Sequence, residues 1–259
     1  MVGRVFLVGA GPGNAELLTL KAHRLLQSCD VIVYDRLVSP DILAIAPTAI
    51  ERVDVGKRPH SHPVPQEEIN RILVVLAGQG KTVVRLKGGD PLMFGRGGEE
   101  ALALQAAGIP YEIVPGITAA QGAAASATVP LTHRGLASSV RYLTGHCRAD
   151  AELDFDWAGL ADPQTTLVVY MGLANISQIC SKLIANGRPA DTPVLLVSKA
   201  TWAEERRLTT TLGDVPCTAK VAGFESPILF IIGDVVAVSK LQGQRFDAPQ
   251  NDHFAAAAE

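Results

Sequence analysis

At ~150 residues per domain, a chain of 259 residues corresponds to about 1.7 domains, which means one large domain or two modest ones sharing an interface. Apolar residues at 47% and charged residues at 19% exclude a disordered chain, and no stretch approaches the ~18 uninterrupted apolar residues of a membrane span. With 23 basic against 26 acidic residues the net charge is −3, so the electrostatic footprint of a general nucleic-acid binder is absent and any anionic ligand must be met by local cations.

In chain order, Arg4 to Val8 is a β-branched run ending at Gly9, and Ala15 to Ser28 carries Leu17, Leu18, Leu20, Leu25 and Leu26 at approximately helical spacing. This predicts strand, glycine turn, helix. The alternation continues with a strand over Val31 to Tyr34, a helix over Glu67 to Ala77, a strand over Thr82 to Leu86 and a helix over Gly97 to Ala107. A strand over Tyr111 to Val114 and a small-residue helix over Thr118 to Ala127 complete it. Such alternation predicts an α/β domain with a mostly parallel sheet, placed at residues 1–134 with a boundary near Thr132 to Leu136. Further strands are expected over Ser139 to Thr144, Thr166 to Tyr170, Pro193 to Val197, Arg206 to Thr211 and Ile228 to Ile232. A hairpin around Thr201 to Glu204 makes the second α/β domain, residues 135–242, a mixed sheet. The polar segment 243–259 is expected to be a loose tail.

The four cysteines, Cys29, Cys147, Cys180 and Cys217, form no C-x-x-C pair and are expected to be reduced core thiols. The N-terminus runs from Met1 to Arg4 directly into a strand without the layout of a signal peptide, and a cytoplasmic location is expected.

Three motifs stand where strands end. Gly9-Ala10-Gly11-Pro12-Gly13 meets a helix N-terminus, but the dinucleotide fingerprint requires glycine at position 14, which is Asn14, and Pro12 lacks an N–H for a pyrophosphate. The loop is either a tight structural turn or a surface for a flat or uncharged ligand. Arg85 to Glu100 concentrates glycines and charges beyond a strand's carboxyl end, where α/β sheets bind ligands, with Asp90 suited to hydroxyl or amino groups. Arg96 stands at the head of a helix whose dipole opposes its charge; it gains nothing structurally there and reads as an anion ligand. Asp35 and Lys57 each follow an apolar strand and face one cleft as acid and base, with a surface ion pair as the competing reading. His60 and His62 sit in a proline-stiffened loop with no obvious carboxylate partner, so no metal is expected.

The stretches Val8 to Gly13 with Glu16 to Lys21, Val33 to Leu37, Val55 to Arg58 with Gln66 to Asn70, Arg85 to Glu100 and Pro115 to Ala120 occur in order along the chain. They are followed by Pro130 to Arg134, Thr144 to His146 and Tyr170 to Gly172. Together they resemble the S-adenosyl-L-methionine (SAM) dependent tetrapyrrole methyltransferases, and within them the uroporphyrinogen-III C-methyltransferase family. The resemblance implies two α/β domains with SAM in the cleft between them, S-adenosyl-L-homocysteine as coproduct, and a homodimer. It implies methylation of uroporphyrinogen III at carbons 2 and 7, giving precorrin-2 by way of precorrin-1 for sirohaem, cobalamin or haem d1 synthesis. Neither nucleic acid nor membrane is an expected partner. A monofunctional enzyme is expected, since the chain lacks the dehydrogenase and ferrochelatase module fused to some members.

Carried onto this sequence, the family's SAM contacts fall on Pro12, Gly88, Gly89, Asp90, Met93, Thr118, Ala119, Met171 and Ala200, and its proton acceptor and donor on Asp35 and Lys57. Asn14-Ala15 replaces the usual acidic-proline pair, Met93 replaces a branched aliphatic, and Ala200 stands where glycine is also found; none of these removes a functional group. The substrate is an octacarboxylate, so Arg36, Arg58, Arg96 and Arg134 are assigned to it, with Glu99 orienting Arg96 and a catalytic part open to Arg96. A methyltransferase acting on a later precorrin is the sibling alternative. A non-catalytic SAM or nucleotide regulator is the alternative of another class, and it leaves Asp35, Lys57 and Arg96 without a purpose.

Overall fold

Apolar runs bounded by glycine turns become the strands of a sheet buried on both faces. A computed structural model describes residues 1–56, 64–146 and 153–238. Lys57, Arg58, His60, His62, Cys147 and the 243–259 tail lie outside the described residues. The first sheet contains β1 (Arg4–Gly9), β2 (Val31–Tyr34), β3 (Glu51–Asp54), β4 (Thr82–Lys87) and β5 (Tyr111–Val114) in the order β3-β2-β4-β1-β5. Every pairing in it is parallel. Side chains alternate along each strand, so Val5, Leu7 and Val83 pack on one face, while Phe6, Val8, Val84 and Leu86 pack on the other. The former face is covered by α3 (Gln66–Gly78) and α4 (Gly97–Ala106), the latter by α1 (Leu20–Ser28) and α2 (Pro40–Ile45).

The helix expected over Ala15 to Ser28 is interrupted. Asn14 accepts the Glu16 N–H and starts a single 3-10 turn, Ala15–Leu17; Thr19 then accepts the Ala22 N–H and starts α1. Two N-cap residues within six positions favour two starts over one continuous helix.

After β5 comes α5 (Ala119–Ser126), then β6 (Ser139–Thr144), α6 (Trp157–Leu160), β7 (Thr165–Tyr170), α7 (Ile176–Ala185) and β8 (Pro193–Ser198). β9 (Arg206–Thr211), α8 (Val215–Val221), β10 (Ile228–Ile232) and α9 (Val235–Val238) follow. The second sheet has the order β6-β7-β10-β8-β9. Its β6 and β7 are parallel while β10 and β9 run antiparallel to their neighbours, so the sheet is mixed, with β8 and β9 forming the expected hairpin. Ala120 and Ala123 of α5 pack with Val168, Leu195, Val197 and Ile231. The helix that leaves the first sheet is therefore built into the core of the second, and its small residues permit that close approach.

Cys29 and Cys180 are buried free thiols, pushed up to about 11 and about 12 chiefly by burial, which leaves them inert. Cys217 is exposed on α8, which corrects the expectation that it is a core thiol.

Candidate active site

The carboxyl ends of β1, β4 and β5 converge on a cradle of glycines. A Cβ on Gly9 would lie 2.6 Å from both the Gly116 Cα and the Gly89 carbonyl oxygen, so the three backbones touch and neither Gly9 nor Gly116 has room for a side chain. The Gly11 N–H donates to the Gly89 carbonyl at 3.1 Å and the Gly89 N–H to the Gly11 carbonyl at 2.7 Å, and Gly89 has φ +69°. Asp90 completes the cradle: one carboxylate oxygen accepts the Leu92 N–H at 2.8 Å and the other the Gly116 N–H at 3.0 Å. A ligand hydroxyl would thus share a carboxylate already committed to the loops.

The other wall comes from the second sheet. Thr118 caps α5 in a capping box with Gln121, and the Ala120 N–H donates to the Tyr170 hydroxyl at 3.1 Å. Burial raises that hydroxyl above its usual range. The Tyr170 ring packs against Phe94 at 5.1 Å and Tyr142 at 6.2 Å, so the end of β7 touches both α5 and the loop after β4. Phe94 and Tyr170 are missing from the residue set named from the sequence. Tyr170 lies inside the Tyr170-Met171-Gly172 motif, but its contacts are tertiary and carry no local signature. Exposed apolar side chains border this loop: Leu37, Leu92, Phe94 and Met171. Phe94, Arg96, Met171, Lys199 and Thr201 all have positive φ, and non-glycine residues held in that region gather at functional sites.

The glycine-rich turn has a second job. Trp202 donates its indole N–H to the Pro12 carbonyl at 3.0 Å, and Asn14 donates its N–H to the Thr201 hydroxyl at 3.0 Å. Pro12 and Gly13 are buried, Gly122 of α5 abuts Pro12, and a Cβ on Gly13, at φ +151°, would overlap the Trp202 indole. Gly13→Ala should therefore lower stability by about 1–3 kcal/mol through overpacking, measurable as a fall in Tm. In a Trp202→Ala background Gly13→Ala should cost less; an equal cost in both backgrounds would mean the backbone angle and not the indole sets it.

Among the polar residues, Asp35 follows β2 and is about a quarter exposed at its side chain; it accepts the Leu37 N–H at 3.0 Å and an Arg85 N–H at 3.3 Å. Arg36 is exposed beside it, and Arg134 is exposed in the turn between the sheets, where His133 and Ala137 pair. Met93 lies in the loop after β4, and Ala200 is buried in the β8–β9 connection. Arg96 is the N-cap residue of α4 with φ +59°, and its Nε and Nη2 fork onto the two carboxylate oxygens of Glu99 at 2.8 and 2.6 Å. The expectation that Arg96 gains nothing structurally is thereby corrected: Glu99 offsets the helix dipole and fixes the guanidinium.

A buried ionic group absent from the residue set named from the sequence lies below Asp35. Arg85 and Lys87 on β4 and Glu100 on α4 are all nearly inaccessible, with Arg85 Nε 3.0 Å and Lys87 Nζ 2.9 Å from one Glu100 oxygen. Burial first, and then the neighbouring Arg85 charge, hold the Lys87 ammonium below its usual range. The signal available in the sequence was the i, i+2 spacing of two cations inside a strand, which places both on one face.

The profile of the Tetrapyrrole (Corrin/Porphyrin) Methylases matches residues 4–216. The chain belongs to the tetrapyrrole methylase family. A Paracoccus denitrificans protein named uroporphyrinogen-III C-methyltransferase is 57% identical over 239 residues, covering 92% of this chain and 83% of that one. The Azotobacter vinelandii siroheme synthase is 53% identical over 91% of this chain, which spans about half (50%) of that protein's length. The crystal structure of a Thermus thermophilus uroporphyrin-III C-methyltransferase complexed with S-adenyl homocysteine superposes with a TM-score of 0.77 at 44% identity. That match covers 91% of this chain and 94% of that one. A cobalt precorrin-4 methyltransferase structure superposes with a TM-score of 0.80 at 30% identity, covering 90% and 95%. In this methylase the matched region takes in the whole first sheet, the glycine cradle and the second sheet as far as α8.

Proposed function

We propose that this methylase transfers methyl groups from SAM to carbons 2 and 7 of uroporphyrinogen III, giving precorrin-2 by way of precorrin-1. The observation that carries the reading is the 57% identity over 92% of the chain to a protein named for that reaction. The lower identity to the cobalt precorrin-4 enzyme ranks the later-precorrin reading second.

The residues present fit SAM. Gly9 and Gly116 pack backbone to backbone against Gly89, and Gly89, at φ +69°, lies beside the start of α5 with only ordinary contacts where a Cβ would stand, which leaves bare backbone for a ligand. Gly88, Gly89, Asp90, Met93, Thr118, Ala119, Met171, Ala200 and the Pro12 turn are the residues assigned to hold the cofactor. When bound, SAM supplies an electrophilic methyl group on a sulfonium. The two lobes, 1–134 and 135–242, orient a pyrrole carbon toward that methyl, and holding such partners at ~3–3.5 Å supplies most of the acceleration available to a methyl transfer. The exposed apolar side chains Leu37, Leu92 and Phe94 offer an apolar surface for the macrocycle. Arg36, Arg58, Arg96 and Arg134 meet its carboxylates. Asp35 accepts the proton released after methylation and Lys57 serves as proton donor. A homodimer in the cytoplasm is the assembly and location we expect; no described helix is long and apolar enough to cross a membrane.

Incubation with uroporphyrinogen III and labelled SAM under anaerobic conditions, followed by mass analysis, tests the reading. Two added methyl groups are expected. No transfer to uroporphyrinogen III, with transfer to a later precorrin, would move the chain to the sibling activity. A separate test concerns the cofactor wall. Met171 has φ +52°, a region that aspartate tolerates, so Met171→Asp should fold normally. It should nonetheless weaken S-adenosylhomocysteine binding by roughly 10- to 100-fold, since a carboxylate is desolvated against the ligand. Unchanged affinity in calorimetry would remove Met171 from the cofactor site.

A further inference from the structure

Arg85, Lys87 and Glu100 are held out of water in a part of the fold that apolar packing would fill as well. Taking three charges from water is costly, and replacing such groups by apolar residues is often neutral or stabilising, so stability alone does not explain them. Their geometry converges on a single neighbour. β4 turns Val83 toward α3 and α4, and Arg85 and Lys87 follow on that same face. One oxygen of Glu100 accepts Arg85 Nε at 3.0 Å, Lys87 Nζ at 2.9 Å and the Gln66 amide at 3.3 Å. Arg85 Nη1 donates to the Leu86 carbonyl at 3.1 Å and the Val33 carbonyl at 3.4 Å. With Nε and Nη1 fixed by β2, β4 and α4, the plane of the guanidinium is set, and Nη2 is delivered to the Asp35 carboxylate at 3.3 Å. The second Asp35 oxygen accepts the Leu37 N–H. Arg85 is thus the one side chain of the group that reaches from the buried charges to the loop after β2.

We propose that Arg85, clamped by Glu100 and Lys87, is a positioning residue for Asp35: it fixes the orientation in which the carboxylate meets the macrocycle. The inference rests on the reading of Asp35 as proton acceptor. Glu100 acts at one remove, by setting the guanidinium plane, and Lys87 balances the second negative charge so that the two carboxylates face two cations. A role confined to fastening α4 onto β4 would make the effect of removing Glu100 the same whether or not Asp35 is present.

A double-mutant cycle in the intact chain separates the two roles. Glu100→Gln keeps the side-chain volume and removes the charge that holds Arg85. It should lower kcat by about 10-fold, with the KM for SAM and the affinity for S-adenosylhomocysteine unchanged, and it should cost nothing further in an Asp35→Asn background. Should Glu100→Gln not fold, Arg85→Lys carries the same cycle, since an ammonium retains the charge but cannot span Glu100 and Asp35 together. An equal loss of kcat in the wild-type and Asp35→Asn backgrounds would overturn the proposal and leave the group as a fastening. An Asp35→Asn enzyme with wild-type turnover would overturn it differently, by removing Asp35 from catalysis. The two failures are distinct, because in the first Asp35→Asn is slow and only the coupling is missing.

Discussion

Asp35→Asn is expected to slow methylation of uroporphyrinogen III by ~10²- to 10⁴-fold, the usual loss on removing a group that moves a proton in the rate-limiting step. The affinity for S-adenosylhomocysteine should not change, because Asp35 follows β2, which does not pair with β1 or β5, and its carboxylate is held by the Leu37 N–H and Arg85 rather than by the glycine cradle. Asparagine keeps one oxygen to accept the Leu37 N–H, so the loop after β2 should hold its shape, while its amide NH2 replaces the oxygen that accepted from Arg85 and that hydrogen bond is lost. Thermal denaturation of the variant checks this, and single-turnover measurements with bound SAM isolate the chemical step from binding. Normal turnover with normal stability would reduce Asp35 to a staple between Arg85 and its own loop.

What could be read from the sequence, and what could not, divides along physical lines. Parallel strands buried on both faces appear as short continuous apolar runs, so β1, β2 and β4 were legible, while the edge strand β5 showed through Tyr111 to Val114 ahead of the Pro115-Gly116 stop. The apolar strand expected before Lys57 is corrected: β3 is Glu51-Arg52-Val53-Asp54, a largely exposed strand at the sheet edge with no apolar run to display. α2 spans only six residues, Pro40–Ile45, and its signals are a Ser39 cap and a proline at its start rather than a periodic apolar face. The glycine turn was legible as a turn, but its partner was not. Trp202 is remote in sequence, and nothing around Gly13 announces an indole above it. The same holds for the site. The loops after β2 and β4 show their charges locally, whereas the Phe94–Tyr170 contact and the Arg85–Glu100 pairing exist only once the sheet and α4 have formed. Arg85 was visible as a strand residue and Lys87 as the first residue past the expected strand end, yet the burial of both follows from α4 packing across that face.

Arg96 best separates an enzyme acting on an anionic macrocycle from a generic SAM binder. Its fork onto Glu99 engages Nε and Nη2 in a pair that is about half exposed on both sides. Exposed pairs of this kind contribute ~0–1 kcal/mol, so removing the guanidinium should barely affect stability. Its backbone, at φ +59°, is equally strained for arginine and alanine, which keeps the loop comparable in the variant. The function lost is then the substrate contact. Glu99 holds the guanidinium plane while Nη1 stays outside the fork, an arrangement that presents a preoriented donor to a carboxylate of the macrocycle. Arg96→Ala should cost on the order of 2–4 kcal/mol of transition-state binding, roughly 30- to 10³-fold in kcat/KM for uroporphyrinogen III. Arg96→Lys keeps the charge without the fork and should fall between the variant and the wild type. The affinity for S-adenosylhomocysteine should hold in both, measured by calorimetry alongside the anaerobic kinetics. If Arg96→Ala instead loses that affinity while kcat/KM at saturating SAM survives, Arg96 serves the cofactor with the rest of the loop after β4, and the macrocycle carboxylates are met by Arg36 and Arg134.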